Sequence, residues 1–85
     1  MAVTLLNIGE HLSLEFEPSD LDEVQACIDA RYPGRKAMAA GIATVVSFGG
    51  ETFTYQNEWD DPCLISSSNK GDELLRNIYT ELSGD

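Results

Sequence analysis

Residues 42–57 read IATVVSFGGETFTYQN, and this stretch decides the fold more than any other part of the chain. The β-branched and aromatic side chains on both sides of Gly49-Gly50 are typical of two strands. Two consecutive glycines suit a tight hairpin turn, because glycine adopts a positive φ without strain. Phe53 and Tyr55 alternate with polar neighbours, so the second strand should bury one face. The stretch predicts an antiparallel hairpin.

The chain next to this hairpin is also expected to be extended. Residues 37–48 begin with small side chains and become β-branched toward the glycines, so they are assigned to the strand that enters the hairpin. Residues 58–62 are assigned to a loop, and residues 63–66 to a short strand that follows it.

A second hairpin is predicted at the beginning of the chain, where residues 2–8 and 11–17 flank Gly9-Glu10. The second of these runs alternates with period two, which is typical of a strand with one buried and one wet face. Its apolar residues are Leu12, Leu14 and Phe16, and its polar residues are His11, Ser13, Glu15 and Glu17.

Two helices are predicted from caps and apolar spacing. The first spans residues 20–32, with Ser19 as its N-cap and Pro33-Gly34 at its end. The second follows Asn69 as N-cap, and Asp72 is assigned to capping its first turn. Its apolar stripe consists of Leu74, Leu75, Ile78, Tyr79 and Leu82.

These elements predict one α+β domain over residues 1–85, in the order ββαβββα, with an antiparallel sheet and both helices packed on one face. A chain of 85 residues is long enough for one hydrophobic core and no more. No apolar run is long enough to span a membrane, and the first residues lack the basic flank of a signal peptide. We therefore expect a soluble cytoplasmic protein that does not bind membranes.

Residue types and spacings argue against catalysis. His11 is the single histidine, and no second basic group or nucleophile elbow accompanies it, so it is interpreted as an exposed strand residue. The acidic residues do not follow the spacing of a calcium-binding loop, and the glycines form no phosphate-binding motif. We expect no enzyme activity, no metal and no cofactor.

The cysteines are Cys27 and Cys63, which form no CxxC pair. In a cytosolic chain they are interpreted as small buried apolar residues, while a disulfide would require that they meet in space.

Charge is the most unusual property of the chain. It has 15 acidic and 5 basic residues, a formal net charge of −10, and no Lys or Arg before Arg31. Arg35 and Lys36 follow Arg31 closely, and all three are interpreted as charges at the end of the first helix. A surface this acidic repels nucleic-acid phosphates and favours encounter with basic proteins. Direct nucleic-acid binding is therefore not expected.

The candidate partner-binding residues combine the single tryptophan with nearby acids. Tryptophan is enriched at binding hot spots, and flanking acids would suit a basic partner, although a lone tryptophan in a small domain more often belongs to the core. The candidates are Glu58, Trp59, Asp60 and Asp61, together with Glu15 and Glu17.

Two functions from different classes are compatible with these features. The first is an acidic inhibitor that neutralises a basic, nucleic-acid-handling protein; small toxin-immunity proteins and phage anti-defence proteins, including anti-CRISPR proteins, have this general size and charge. The second is a homo-oligomeric structural or accessory domain, such as a homodimer. In it, the sheet face or edge of one copy pairs with that of another. The run Ala37–Ala43 would permit a close approach of two backbones.

Overall fold

The computed structural model describes residues 3–41, 43–58 and 61–84. They form a six-stranded antiparallel sheet, two α-helices and one 3-10 turn. The strands are β1 (Thr4–Ile8), β2 (His11–Glu15), β3 (Lys36–Ala40), β4 (Ala43–Phe48), β5 (Glu51–Glu58) and β6 (Asp61–Ser66). The helices are α1 (Leu21–Arg31) and α2 (Asn69–Ser83), and the 3-10 turn is Pro18–Asp20. The predicted fold class, an α+β domain with an antiparallel sheet and two helices, is confirmed.

The sheet has the strand order β1-β2-β6-β5-β4-β3. After the first hairpin, α1 carries the chain from β2 to β3 at the far edge. Strands β3 to β6 then return as an antiparallel meander until β6 pairs with β2. This pairing joins the first hairpin to the rest of the sheet.

The hairpin between β4 and β5 forms as predicted. Gly49 has a φ of 60° and Gly50 a φ of 83°, the positive pair that a type I′ turn requires. Val46 lies opposite Phe53 in the resulting register.

Two strand boundaries differ from the sequence prediction. Residues 37–48 form two strands, because the chain turns at Gly41, which has a φ of 65°, and Ala40 pairs with Ala43. The loop predicted at residues 58–62 was wrong, because Glu58 pairs with Asp61 and both lie in strands. Pro62 cannot donate a hydrogen bond, but its carbonyl accepts one of 3.2 Å from the N–H of Phe16.

The core lies between the helices and one face of the sheet. Alternation along the strands brings every second residue to this face, where α1 and α2 cover it. The buried apolar residues are Leu12, Leu14, Phe16, Val24, Ile28, Val46, Phe48, Phe53, Leu64, Leu74, Leu75 and Ile78. Phe48 and Phe53 stack at its centre with ring centroids 4.2 Å apart. The apolar stripe predicted for the last helix is therefore part of the core.

Both predicted N-caps were wrong by one residue. Helix α2 is capped by Ser68, whose hydroxyl accepts a 2.9 Å hydrogen bond from the N–H of Gly71, whereas Asn69 is already helical. Helix α1 has Asp20 at its N-cap position without a side-chain hydrogen bond. Ser19 lies inside the 3-10 turn, which Pro18 begins and which occupies the positions just before the helix.

Candidate protein-binding surface

The sheet face opposite the two helices, here called the open face, carries a row of side chains across all the strands. Both α1 and α2 lie on the other face, so neither covers this row. From β1 to β3 the paired residues of the row are Leu6, Ser13, Ile65, Thr54, Val45 and Met38.

The apolar residues of the open face are most exposed at the sheet edges. Leu6 and Ile8 in β1 are 41% and 46% exposed, and Met38 in β3 is 72% exposed. Ser13, by contrast, is fully buried, since Leu6 and Ile65 flank it on the adjacent strands. We call Leu6, Ile65, Val45 and Met38 the apolar row; Ser13 and Thr54 lie between them, and neither helix covers these side chains.

Three acidic residues gather at one end of the open face, next to this row. Glu15 in β2 pairs with Cys63 in β6, two residues from Asp61. The hydrogen bond between Phe16 and Pro62 extends this pairing, so the chain at Glu17 runs beside the beginning of β6. Glu17 and Asp61 are exposed, and Glu15 is half-buried. We call Glu15, Glu17 and Asp61 the acidic corner.

The thiol of Cys63 lies within this corner and is held in its neutral form. Burial raises its pKa; the nearby hydroxyl of Ser13 acts in the opposite direction, while the charges of Glu15 and Asp61 raise the pKa further. A neutral thiol is a poor nucleophile, so the corner is not arranged for thiol chemistry.

The other cysteine, Cys27, belongs to α1 and so lies on the helix side of the sheet. Both thiols are free, and the sheet separates them. Burial raises the pKa of Cys27 as well, with a further contribution from Glu81. The structure therefore contains no disulfide between Cys27 and Cys63.

The basic residues lie away from the acidic corner. Arg31 forms an ion pair of 3.3 Å with Glu81, and Arg35 one of 2.8 Å with Asp29. Both pairs involve residues of α1 or α2 or of the loop after α1. Lys70 and Arg76 are exposed on α2, and Lys36 lies at the edge strand β3. With four strand spacings between β2 and β3, Lys36 is on the order of 20 Å from Glu15.

The predicted binding residues are described only in part. Trp59 and Asp60 lie outside the described residues. Glu58 pairs with Asp61 through its backbone, but its side chain is outside the description. The acidic corner therefore consists of the three predicted residues that the structure describes with their side chains.

One interaction was missed by the sequence analysis. Asp72 does not cap α2: its carboxylate accepts a 2.9 Å hydrogen bond from the N–H of Leu12 and lies 3.2 Å from Nδ1 of His11. His11 is consequently half-buried, and its interpretation as an exposed strand residue was wrong. Because the partners are 60 positions apart in sequence, no local pattern could reveal the contact.

The environment of Asp72 favours its charged form. Burial alone would raise the pKa of this carboxyl, but the hydrogen bonds from Leu12 and His11, together with the nearby hydroxyl of Ser66, outweigh burial and lower the pKa below its ordinary value. Asp72 therefore links β2 to α2 as a carboxylate.

Comparisons with protein families, with curated proteins and with solved structures find no match to this chain. The described residues contain no group of three or more His, Cys, Asp or Glu side chains that could hold a metal ion. No helix in the described ranges is long and apolar enough to cross a membrane.

Proposed function

We propose that this protein is a non-catalytic binding protein that docks its acidic corner and the adjoining apolar row onto a basic surface of another protein. The observation that carries the proposal is the gathering of Glu15, Glu17 and Asp61 on a sheet face that neither α1 nor α2 covers. Its complement is an apolar patch bordered by Lys and Arg side chains.

The two parts of this surface have different roles in the proposed complex. The acidic corner, in a molecule with a net charge of −10, attracts a basic partner during encounter. The apolar row provides contact area once the two surfaces meet, and this contact slows dissociation. Thr54 is small and half-buried, which lets a partner backbone approach the centre of the row.

Within this proposal, the partner is a protein that handles nucleic acid, and binding neutralises it. Such proteins use Lys and Arg to contact phosphates, and an acidic surface competes for the same side chains. The size and charge of the chain fit the toxin-immunity or phage anti-defence type of inhibitor, including the anti-CRISPR type.

The test begins with affinity capture from the native cell, followed by association kinetics with the purified partner across a salt series. Glu17→Lys combined with Asp61→Lys reverses two exposed charges of the corner. The matched control combines Glu10→Lys with Glu73→Lys, which are also exposed but lie in the first hairpin turn and on α2. Both double variants have the same net charge.

We expect the corner variant to associate about tenfold more slowly at low salt, and the control less than about threefold. Trp59→Ala is expected to speed dissociation, because a tryptophan at a binding hot spot holds the complex together after the two surfaces have met. Equal rates for the two double variants would mean that net charge alone governs encounter. The proposed docking surface would then be wrong.

A second candidate function is self-association through β3, as in a homo-oligomeric accessory domain. β3 is a sheet edge without proline, and its central residue Met38 is the most exposed of the large apolar residues identified. Antiparallel pairing of two β3 strands about Met38 would place Ala37 opposite Ala39 of the other copy. The acidic corners of the two copies would then be separated by far more than the roughly 8 Å over which charges interact at physiological salt, so their repulsion would not oppose the dimer.

Analytical ultracentrifugation distinguishes the two functions. A dimer that persists at high salt and is lost in Met38→Lys supports self-association, because a buried lysine at the symmetry axis would face its own copy. A monomer at all salt concentrations removes this candidate.

A further inference from the structure

A cavity of about 210 Å³ lies on the helix side of the sheet, between α1 and the strands. It is separate from the acidic corner, which occupies the opposite face. Phe16, Val46 and Leu64 form its floor on the sheet, and Val24 and Ile28 of α1 form its roof. Its walls are therefore mainly apolar.

The cavity follows from how the helices pack. The backbone of α2 lies close to β1, β2, β5 and β6, whereas the backbone of α1 lies closest to α2 and reaches the sheet through the side chains of Val24 and Ile28. The far side of the sheet, at β3 and β4, is consequently less well filled. Two small side chains, Ala37 in β3 and Thr44 in β4, line the cavity there, and Ala37 is exposed to solvent. A molecule could enter from the β3 side without moving either helix.

The polar groups of the lining restrict what the cavity can hold. Arg35 lines it, but its guanidinium already donates two hydrogen bonds, of 2.8 and 3.3 Å, to the carboxylate of Asp29. Tyr55 and Gln25, both half-buried, also line the cavity and contribute a neutral hydroxyl and a neutral amide. Apart from the ion pair of Arg35 with Asp29, whose charges balance, the polar groups of the lining are therefore neutral donors and acceptors.

We infer that this cavity is a binding site for compact, neutral aromatic molecules that carry one hydrogen-bond acceptor, which the hydroxyl of Tyr55 or the amide of Gln25 would meet. The size of the cavity suits this class, because an apolar cavity of roughly 150 Å³ is sufficient for benzene. A charged ligand does not fit, since the one cationic group is neutralised by Asp29 and the walls are apolar.

Acetophenone and isopropylbenzene are suitable probes, because they have the same number of non-hydrogen atoms and isopropylbenzene has a methyl group where acetophenone has its carbonyl oxygen. Titrations of the ¹⁵N-labelled full chain by NMR report both affinity and location. We expect both probes to shift the amide signals of α1, β3 and β4, with dissociation constants on the order of 0.1–1 mM. Benzoate, which adds a charge to the same ring, is expected to bind at least about tenfold more weakly.

Variants test the position of the ligand. Ala37→Leu and Thr44→Leu fill the cavity from the strand side and should weaken both probes by more than about tenfold without lowering the melting temperature. Thr44 is half-buried, so Thr44→Leu disturbs the packing more than Ala37→Leu does; Ala37→Leu therefore tests the site even if Thr44→Leu does not fold. Lys36→Leu changes the residue of β3 that precedes Ala37, which is exposed and does not line the cavity, and should leave binding unchanged.

Tyr55→Phe tests the hydrogen bond. The variant should weaken the binding of acetophenone about three- to tenfold and change the affinity for isopropylbenzene by less than about twofold. Only acetophenone has an oxygen that can accept a hydrogen bond from the Tyr55 hydroxyl. Equal losses for both probes would overturn the assignment of Tyr55. The whole inference is overturned if no amide near the cavity shifts at about 5 mM acetophenone, if folded Ala37→Leu binds as tightly as the unchanged protein, or if benzoate binds best.

Discussion

The carboxylate of Asp72 in α2 accepts a 2.9 Å hydrogen bond from the backbone N–H of Leu12 in β2. Both groups are buried, so this contact satisfies a donor that water cannot reach. It holds the first hairpin against the last helix, between parts of the chain that are 60 positions apart.

Asp72→Ala should lower the free energy of unfolding by about 1–3 kcal/mol, because the N–H of Leu12 would remain buried without an acceptor. Urea denaturation at neutral pH measures the loss. The neighbouring exposed residue provides the control, since Glu73→Ala should change stability by less than about 0.5 kcal/mol. Similar values for the two variants would show that the contact contributes nothing.

The same carboxylate should make stability depend on pH. Its pKa is lower in the folded protein than the ordinary value of 3.8, so its contribution is fully present above that value and is lost as pH falls through the folded pKa. The difference in unfolding free energy between the unchanged protein and Asp72→Ala should therefore be constant above about pH 5 and shrink below about pH 4. Denaturation curves across this range would contradict the assignment if the difference grew toward acid pH.

The stripe of α2 should dominate the stability of the core. Leu75 and Ile78 are both fully buried, so Leu75→Ala and Ile78→Ala should each cost about 2–4 kcal/mol. Arg76→Ala, between them on the exposed side, should be close to neutral. Losses below about 0.5 kcal/mol at both apolar positions would mean that the helix is not part of the core.

Gly71 should not tolerate a larger residue, although it lies in a helix and alanine has a higher intrinsic helix propensity than glycine. A Cβ atom at this position would lie 2.6 Å from the hydroxyl of Ser66 and 3.3 Å from the ring of Phe53. Gly71→Ala should therefore destabilise the protein by about 1–3 kcal/mol.

A double-mutant cycle identifies the cause of that loss. Ser66→Ala removes the hydroxyl that the new methyl group would meet, but it also removes the 2.8 Å hydrogen bond to the carbonyl of Ser68. The double variant should lose less stability than the two single variants added together. Simple additivity would show that the hydroxyl is not the obstacle.

Local patterns were sufficient for much of the fold. Gly49-Gly50 predicted its hairpin because positive φ values are a property of those residues themselves. The apolar spacing of α2 predicted the face that it buries, because helical periodicity alone determines that face. Gly41 was not recognised as a turn, since one glycine among small residues is compatible with a continuous strand.

The candidate sites depended on contacts that no local pattern contains. The acids at 15, 17 and 61 come together because β2 pairs with β6, and the sequence does not specify which strands become neighbours. The cavity between α1 and the strands depends on where α1 lies beside α2 and over the sheet, which is likewise a property of the assembled domain.

The pairing of β2 with β6 also bears on how the chain reaches its folded state. Strands β3 to β6 pair with their neighbours in sequence, so each of their hairpins closes a short loop at a small cost in entropy. The first hairpin can form by itself but must wait for β6, the last strand to be synthesised, before it joins the sheet. An α1 helix formed early therefore remains without its sheet until the second half of the chain has emerged, and the rate-limiting step of folding should be the docking of two preformed halves.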